Sequence, residues 1–530
     1  MKKFIPFIAI FGLIFCQVAQ ADVGTSRAYD YFNLTGGLND TADPVTLSPN
    51  EAADLQNVIF SNAGGIERRG GFSRINSSAI GSTAVGTGLT FYRQSDADRF
   101  LVSLVSSGVT DKLYKMDYGA GTTGPDGTWD DVSSSLSLSF SDNELGDFAP
   151  FQDTLYIAYG DGTRSLLKYT GSGDATELTS LPDAAMVEAH KRILWVAGRS
   201  DARSQLNFSN LDVPETFTAT DSIAVETNDN QVITGIKSAL DCLYVFKTES
   251  IWRVCGSDRD NFNLEQMVRG VGASGNQTIA LINNQFVFLT NQGNIVVYDG
   301  GITIQLLSSK IQGTLSTLNL ERLPQAVGLA FDDGTGDEDY YLCLSRQGEG
   351  TNQLMLVYDT LFKAWTKFTG IACNALTVYE TGTRQRALAF FDYAGRANLY
   401  PDTEADAGAT IASFYRSGHL RLDVPQQKTF QQIQAIFQQR ENERVTLNYY
   451  IDFGTTTSGY SISLAGTGAI WDTAVWDTAV YADVATIISR NPIGHTGDFI
   501  QWDITDTDDH GWRMRGVRLW AEPTGRLGGE

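Results

Sequence analysis

From about Ser77 to Thr403 the chain keeps returning to one pattern: an apolar strand, a polar turn rich in Gly, Asp or Asn, and a second strand ending near Tyr or Trp. Seven such stretches line up, at 100–117, 153–171, 192–210, 241–256, 284–300, 339–369 and 386–402. They recur at roughly 40 to 50 residues, the period of propeller blades. One four-stranded blade cannot bury both of its faces, whereas a closed ring of blades can. About 325 residues at a period of about 45 give roughly seven blades. An array of β-sandwiches is the competing arrangement.

The fold class expected is all-β: a β-propeller of about seven blades followed by a C-terminal β-sandwich or jelly-roll module. Residues 77–405 would form the propeller and 406–530 the second domain. In the latter, FYRSGHLRLD, KTFQQIQAIFQQ, RVTLNYYIDFG, GDFIQWDITD and GWRMRGVRLWAEPTGR alternate at period two. KTFQQIQAIFQQ reads equally as a short helix. The pentad Trp-Asp-Thr-Ala-Val occurs twice, from Trp471 and from Trp476. These tryptophans could stack on sugars, but core packing is the preferred reading.

The amino terminus is leader-like. Lys2 and Lys3 precede an apolar run from Phe4 to Phe15, and Ala19-Gln20-Ala21 follows. That order matches a secretory signal cleaved before Asp22, with a run too short to anchor the chain in a bilayer. A buried or assembly-contacting apolar strand at 1–21 is the alternative. Cys242 and Cys255 fall in two apolar runs that read as a hairpin, so a disulfide between them is geometrically feasible in an oxidising compartment. Two small buried hydrophobes is the reading preferred from sequence alone. No CxxC pair and no His beside a Cys at zinc-ligand spacing occurs, so neither a metal nor a cofactor is expected.

Residues 22–76 form an arm of different texture. Ser48, Pro49 and Glu51 fit a helix N-terminus with a capping box, and Ala52, Leu55 and Ile59 a short apolar helical face. The same segment carries Gly36-Gly37-Leu38-Asn39, then Leu47-Ser48-Pro49-Asn50, then Ala52, Leu55, Gln56, Asn57 and Val58, and Arg68-Arg69 ahead of Gly70-Gly71-Phe72. In that order these residues resemble the opening of the tail-nozzle proteins of short-tailed bacteriophages. The stretch from Gly511 to Arg526 is also similar to the terminal strands of such virion proteins.

The resemblance implies a virion structural protein that self-associates into a ring at the tail. Its partners would be an adaptor ring and fibres, with DNA passing through unbound and no membrane anchor. Gly36, Gly37, Leu38, Asn39, Pro49, Asn50, Leu55, Asn57, Arg68 and Arg69 would then mark a partner-binding arm. A strap packed on the first blade is the alternative. A leader is the feature such proteins, assembled in the cytoplasm, do not need. Its presence favours a second reading: an exported propeller that binds carbohydrate or protein at the cell surface or in the periplasm.

Charge narrows the chemistry. With 39 Lys and Arg against 62 Asp and Glu, the formal net charge is −23. A nucleic-acid-binding surface needs clustered cations, so this balance argues against one. In a ring of copies the same charge would line a conduit that repels phosphate. No catalytic residues are expected. His190, His419, His495 and His510 sit in unrelated contexts, and no G-x-S-x-G or H-E-x-x-H element occurs. The carboxylates at 332–341 and 503–512 lack the spacing of a calcium loop and read as solvated turns.

Overall fold

The computed structural model describes residues 25–524 apart from 82, 96–97, 108–110, 119–123, 219, 333–336, 381–385, 423–426, 441–443, 456–457, 466–485 and 509. The leader-like segment and the Trp471/Trp476 repeat lie outside the described residues.

Seven four-stranded antiparallel sheets follow one another along the chain. Blade 1 uses strands at 85–93, 99–106, 112–117 and 130–131. Blades 2 to 6 begin at Asp147, Met186, Ile233, Ala280 and Val327. Blade 7 takes three strands from 375–403, and its fourth, Gly71–Arg74, from the N-terminal segment. Six of the seven sequence stretches are the second and third strands of one blade, and 339–369 also takes in the fourth strand of blade 6, Ala364–Phe368. The first strands and the other fourth strands lie outside the seven stretches.

The second strands explain why the sheets form a ring. In blade 2, Leu155 and Ile157 pack against Val102 and Leu104 of blade 1, while Tyr156 and Ala158 pack against Leu194 and Val196 of blade 3. Successive side chains on a strand point to opposite faces, so an unbroken apolar run is a strand buried on both sides. The same division repeats at Trp195 and Ala197, Leu243 and Val245, Tyr244 and Phe246, and Phe286 and Phe288. It ends with Leu388 and Phe390 on blade 6 and Ala389 and Phe391 on blade 1, which closes the circle.

In blades 2 to 5 the first two strands are joined by two-residue turns with both residues in the left-handed region: Gln152-Asp153, Lys191-Arg192, Leu240-Asp241 and Asn283-Asn284. This is the turn whose twist matches a hairpin. Only Asn283-Asn284 has the composition that announces it, which is why the first strands escaped the reading.

The remaining strands form two six-stranded sheets, and neither is purely C-terminal. One contains Arg27–Tyr31, Val58–Phe60 and Ile66–Arg68 beside Lys428–Gln438, Thr486–Gly497 and Arg513–Pro523. The other contains Gly37–Leu38 and Glu51–Gln56 beside Ser413–Ser417, Arg444–Ile451, Ser458–Ser463 and Ile500–Asp506. Side chains from both sheets, among them Leu55, Ile66, Phe430, Trp502 and Leu519, share one buried cluster that runs on into blades 5 and 6. The expected boundaries at 76 and 406 therefore divide the sequence but not the molecule.

Residues 428–438 are a strand, as one of their two readings had it. The helix expected from Ser48 is a strand as well. The capping hydrogen bond does form, Ser48 N–H donating to the Glu51 carboxylate at 3.1 Å. Beyond it, Leu55 pairs with Tyr415 and Gln56 with Phe414, and sheet pairing overrides the local signal.

Blade packing is tight where the ring closes. A Cβ on Gly86, in the first strand of blade 1, would stand 2.3 Å from Cγ of Phe391 in blade 7. Gly86→Ala is expected to lower unfolding stability by about 1–3 kcal/mol through overpacking. Gly350→Ala, where nothing lies within 4 Å, should leave it unchanged. Thermal unfolding of the two variants beside the parent chain checks this.

Candidate functional site

Two places concentrate polar side chains in the interior: the joint where the N-terminal segment meets blade 6, and the propeller axis.

At the joint, Arg69 is 1% exposed and all its nitrogens are engaged. Nε donates to Asn57 Oδ1 at 2.9 Å. Nη1 donates to Gly70 O and Asp406 Oδ1, and Nη2 to Thr369 O and Asp406 Oδ2 at 2.6 Å. The guanidinium also lies 5.5 Å from the centre of the Phe368 ring. A buried charge is tolerable only when paired and fully hydrogen-bonded, and Arg69 meets that condition.

Asn57 is equally committed. Its φ of 56° is a conformation Asn accepts more readily than most residues. Its amide donates to Thr369 Oγ1 and Ala412 O, and its carbonyl also accepts from Thr369 N–H. Arg68 donates to the backbone carbonyls of Asp508 and Glu404, with Asp506 at 3.6 Å.

Gly37, at φ 75°, lies flat on blade 6, where a Cβ would stand 2.7 Å from that of Ala364. Gly36 N–H donates to Asn50 O, and Asn39 N–H to Ala52 O. Leu38 and Leu55 are fully buried. Of the ten residues expected on a partner-binding arm, Pro49 alone is fully exposed. The other nine are engaged within the chain, in the position of the alternative strap, though on blade 6 rather than blade 1.

Asp406 and Asp40 were not singled out. Asp406 neutralises Arg69, and Asp40 caps the turn at 312–315 by accepting from the N–H groups of Gly313 and Thr314. The GTLS and ADAG contexts around these contacts carry no sequence signal, because the partners are some 270 and 337 residues apart.

Loops ahead of blades 5 and 6 are hydrogen-bonded to the loop ahead of blade 2. Gln277, before blade 5, donates to Gly146 O at 2.8 Å and reaches Asp147 Oδ1 at 3.3 Å. Arg322, before blade 6, donates to Asn143 Oδ1 at 3.0 Å. Both bonds cross from the far side of the ring to the loop entering blade 2. On the first strands of blades 2, 3 and 4 stand Asp147, Glu188 and Lys237. Burial raises Glu188 to about 7, with Asp147 adding to the rise and Lys237 opposing it. Burial also raises Asp147, whose carboxylate accepts from Val187 N–H. His190 is pushed down to about 4 by burial and by Lys191, and its Nδ1 is 2.8 Å from Ser238 Oγ.

Within 503–512, Asp503 and Asp506 do not belong to a solvated turn but to the strand Ile500–Asp506. Asp503 is 1% exposed and is held by Arg416, Asn448 and Tyr450. Asp506 is 3% exposed and faces Arg68. Cys242 and Cys255 form a disulfide across the second and third strands of blade 4, in place of the two free thiols preferred from sequence. Among the described residues no cluster of His, Cys, Asp and Glu suited to a metal occurs, and no helix is long and apolar enough to cross a membrane.

No family model matches the chain, and no curated protein sequence is similar to it. Solved structures to which it is similar include BBS1N in complex with ARL6DN, at 12% identity and a TM-score of 0.38, covering 63% of this chain and 98% of that one. YCF48 bound to D1 peptide is 14% identical with a TM-score of 0.37, over 61% and 96%. The Pan2 WD40 domain of Neurospora crassa is 8% identical with a TM-score of 0.36, over 65% and 98%.

Arg69→Ala would leave Asp406 buried without its counter-charge and is expected to cost about 3–5 kcal/mol, read in denaturant unfolding. A second expectation concerns pH. The folded chain holds the Glu188 proton up to about 7, whereas an exposed glutamate releases it near 4.5. The folded state therefore binds more protons in between, and this group's contribution to stability falls as pH rises across that window. His190 acts the other way, its contribution being lost as pH falls from 6.5 towards 4. Glu188→Gln should remove only the first effect and raise the melting temperature above that of the parent on the alkaline side of 7. An unchanged difference between the two chains across the window would contradict the assignment.

Proposed function

We propose that the chain is a non-catalytic binding protein that works outside the cytoplasm, a rigidly mounted propeller that engages a protein or carbohydrate partner. The observation that carries this reading is the Cys242–Cys255 bond, which joins neighbouring strands of one blade. Disulfides persist in oxidising compartments and are rare in the cytosol. The leader-like order of Lys2-Lys3, the apolar run and Ala19-Gln20-Ala21 points the same way. A binding role suits the interior chemistry. Asp406, Asp503 and Asp506 are paired with arginines, and His190 bonds Ser238, so these groups hold structure.

A second reading is the tail-nozzle role, a ring-forming virion component that adjoins an adaptor and lets DNA pass. The ordered residues from Gly36 to Phe72 favour it. Their place at the joint suits a part that must transmit load without flexing, and the charge of −23 suits a conduit that does not retain phosphate.

Peptide mapping of the natural protein under non-reducing conditions separates the two. The first reading expects a chain beginning at Asp22, found outside the cell membrane, with the 242–255 bond intact. A chain beginning at Met1 or Lys2 inside phage particles, with both cysteines reduced, would replace it by the second. Replacing both cysteines by Ala is expected to lower stability by about 3 kcal/mol, the loop-closure value for a separation of 13 residues. Reductant should do the same to the parent chain.

A further inference from the structure

The last strand, Arg513–Pro523, changes neighbours partway along one edge. Residues 517–521 pair with Arg27–Tyr31, and Arg513 and Met514 pair with Glu67 and Ile66. Among the described residues nothing pairs with 515 and 516 on that edge. On the opposite edge the register slips between Ile436 and Phe437, which face Gly516 and Met514, so Arg515 has no opposite residue. A bulge of this kind bends the strand and re-aims the extra side chain.

Where the two N-terminal strands part, a cleft of about 570 Å³ opens between Phe32, Ala63, Ile436, Met514, Arg513 and Arg515. Its walls are held in place. A Cβ on Gly516 would stand 2.4 Å from Cδ1 of Phe32, and one on Gly65 would stand 2.3 Å from Met514 O. Phe32, 41% exposed, lies under the Arg518 guanidinium at 5.7 Å, and Arg518 is itself paired with Asp30. Arg513 is paired with Glu67. Arg515 is exposed and, among the described residues, has neither a hydrogen-bond nor an ion-pair partner.

We propose that this cleft docks an extended acidic segment of a partner protein, with an apolar side chain entering beside Phe32 and Ile436 and a carboxylate closing on Arg515. The inference rests on the binding-protein reading above and gives it an address. In a chain with 62 carboxylate residues and 39 Lys and Arg, a guanidinium at a bulge that pairs with none of the described carboxylates is suited to an incoming anion. A guanidinium takes a carboxylate in a two-pronged bond. The exposed Phe32 ring beside it supplies an apolar anchor of the kind that dominates binding energy. A nucleic acid, charged at every phosphate along its length, would meet more of the remaining negative charge than a short acidic segment does.

The test uses the full chain and a fluorescent acetyl-Asp-Leu-Asp-Phe-Asp-amide probe, with an Asn-substituted counterpart, followed by anisotropy. The acidic probe should bind and its counterpart should not. Arg515→Glu should weaken binding by about tenfold or more as one charge-assisted contact turns repulsive. Arg515→Lys should retain part of it, and Ala63→Trp, which fills the cleft without touching the charge, should abolish it. Melting temperatures equal to the parent's would show that the variants remain folded. Equal binding of both probes, or an affinity indifferent to both Arg515→Glu and Ala63→Trp, would overturn the proposal. So would displacement by inorganic phosphate at the same concentration as the peptide, which would mark a simple anion site. Disulfide and N-terminal mapping do not depend on the cleft, so failure here leaves the exported reading standing or falling on its own evidence.

Discussion

Every blade has a second strand that is apolar on both faces, and this is the condition the rest of the molecule answers to. A strand with Tyr156 turned one way and Ile157 the other needs a sheet on each side. A linear stack would leave its two end blades uncovered, so only a closed ring satisfies all seven. Closing the ring requires the seventh blade to be complete, and its outer strand comes from Gly71–Arg74, more than 300 residues upstream. That single pairing brings the N-terminal segment to blade 7, and Arg69, two residues before it, fastens the approach to Asp406 and Thr369. The described N- and C-terminal segments then have no independent course. Both terminal sheets are assembled from strands on either side of the propeller.

This explains what could and could not be read from the sequence. The runs LYIA, ILWVA, CLYVF and FVFL announce themselves because burial on two faces leaves little room for polar residues. The first strands are mixed, since one side faces the axis: Asp147, Glu188 and Lys237 sit where a periodicity argument expects an apolar residue or a turn. The fourth strands are two or three residues long in blades 1, 2, 3 and 5, too short to carry a pattern. In the N-terminal segment the residue types were legible and their partners were not. Asn57 and Arg69 could be marked as unusual, but their partners at Thr369, Asp406 and Ala412 lie 300 or more positions away. Ser48-Pro49-Asn50-Glu51 shows the limit from the other side. Its capping bond forms, yet the segment becomes a strand because Tyr415 and Phe414 supply a sheet edge that an isolated stretch lacks.

The axis separates two ideas that charge alone leaves joined. A net charge of −23 would suit a negative conduit, but the propeller's own axis is not one. Gln277 and Arg322 bond across it to the loop at 143–147, and Lys237 stands beside the two carboxylates of blades 2 and 3. Burial raises both of these carboxylates, Asp147 and Glu188, above the usual range, so neither takes up its charge as readily as an exposed acid. A negative conduit would therefore have to form between copies rather than at the centre of one propeller.

The disulfide acquires a structural reason from the same geometry. Blade 6 has its outer strand covered by the terminal sheets, whose strands Gly37–Leu38, Glu51–Gln56 and Val58–Phe60 lie against it. Blade 7 is finished by Gly71–Arg74, and blades 1, 2, 3 and 5 end in strands too short to recruit another chain. Blade 4 is different. Its outer strand, Asn263–Arg269, runs seven residues, and the described residues place nothing beyond it. An uncovered edge of that length is a template for unwanted pairing unless it is broken or charged. Here the register slips between Ile251 and Trp252, which leaves Met267 without an opposite residue, and the Arg253–Glu265 pair lies along it. Cys255, opposite Asn263 at the start of that edge, is bonded to Cys242 on the adjoining strand. The covalent link therefore falls in the blade whose long outer strand is left uncovered by the described residues.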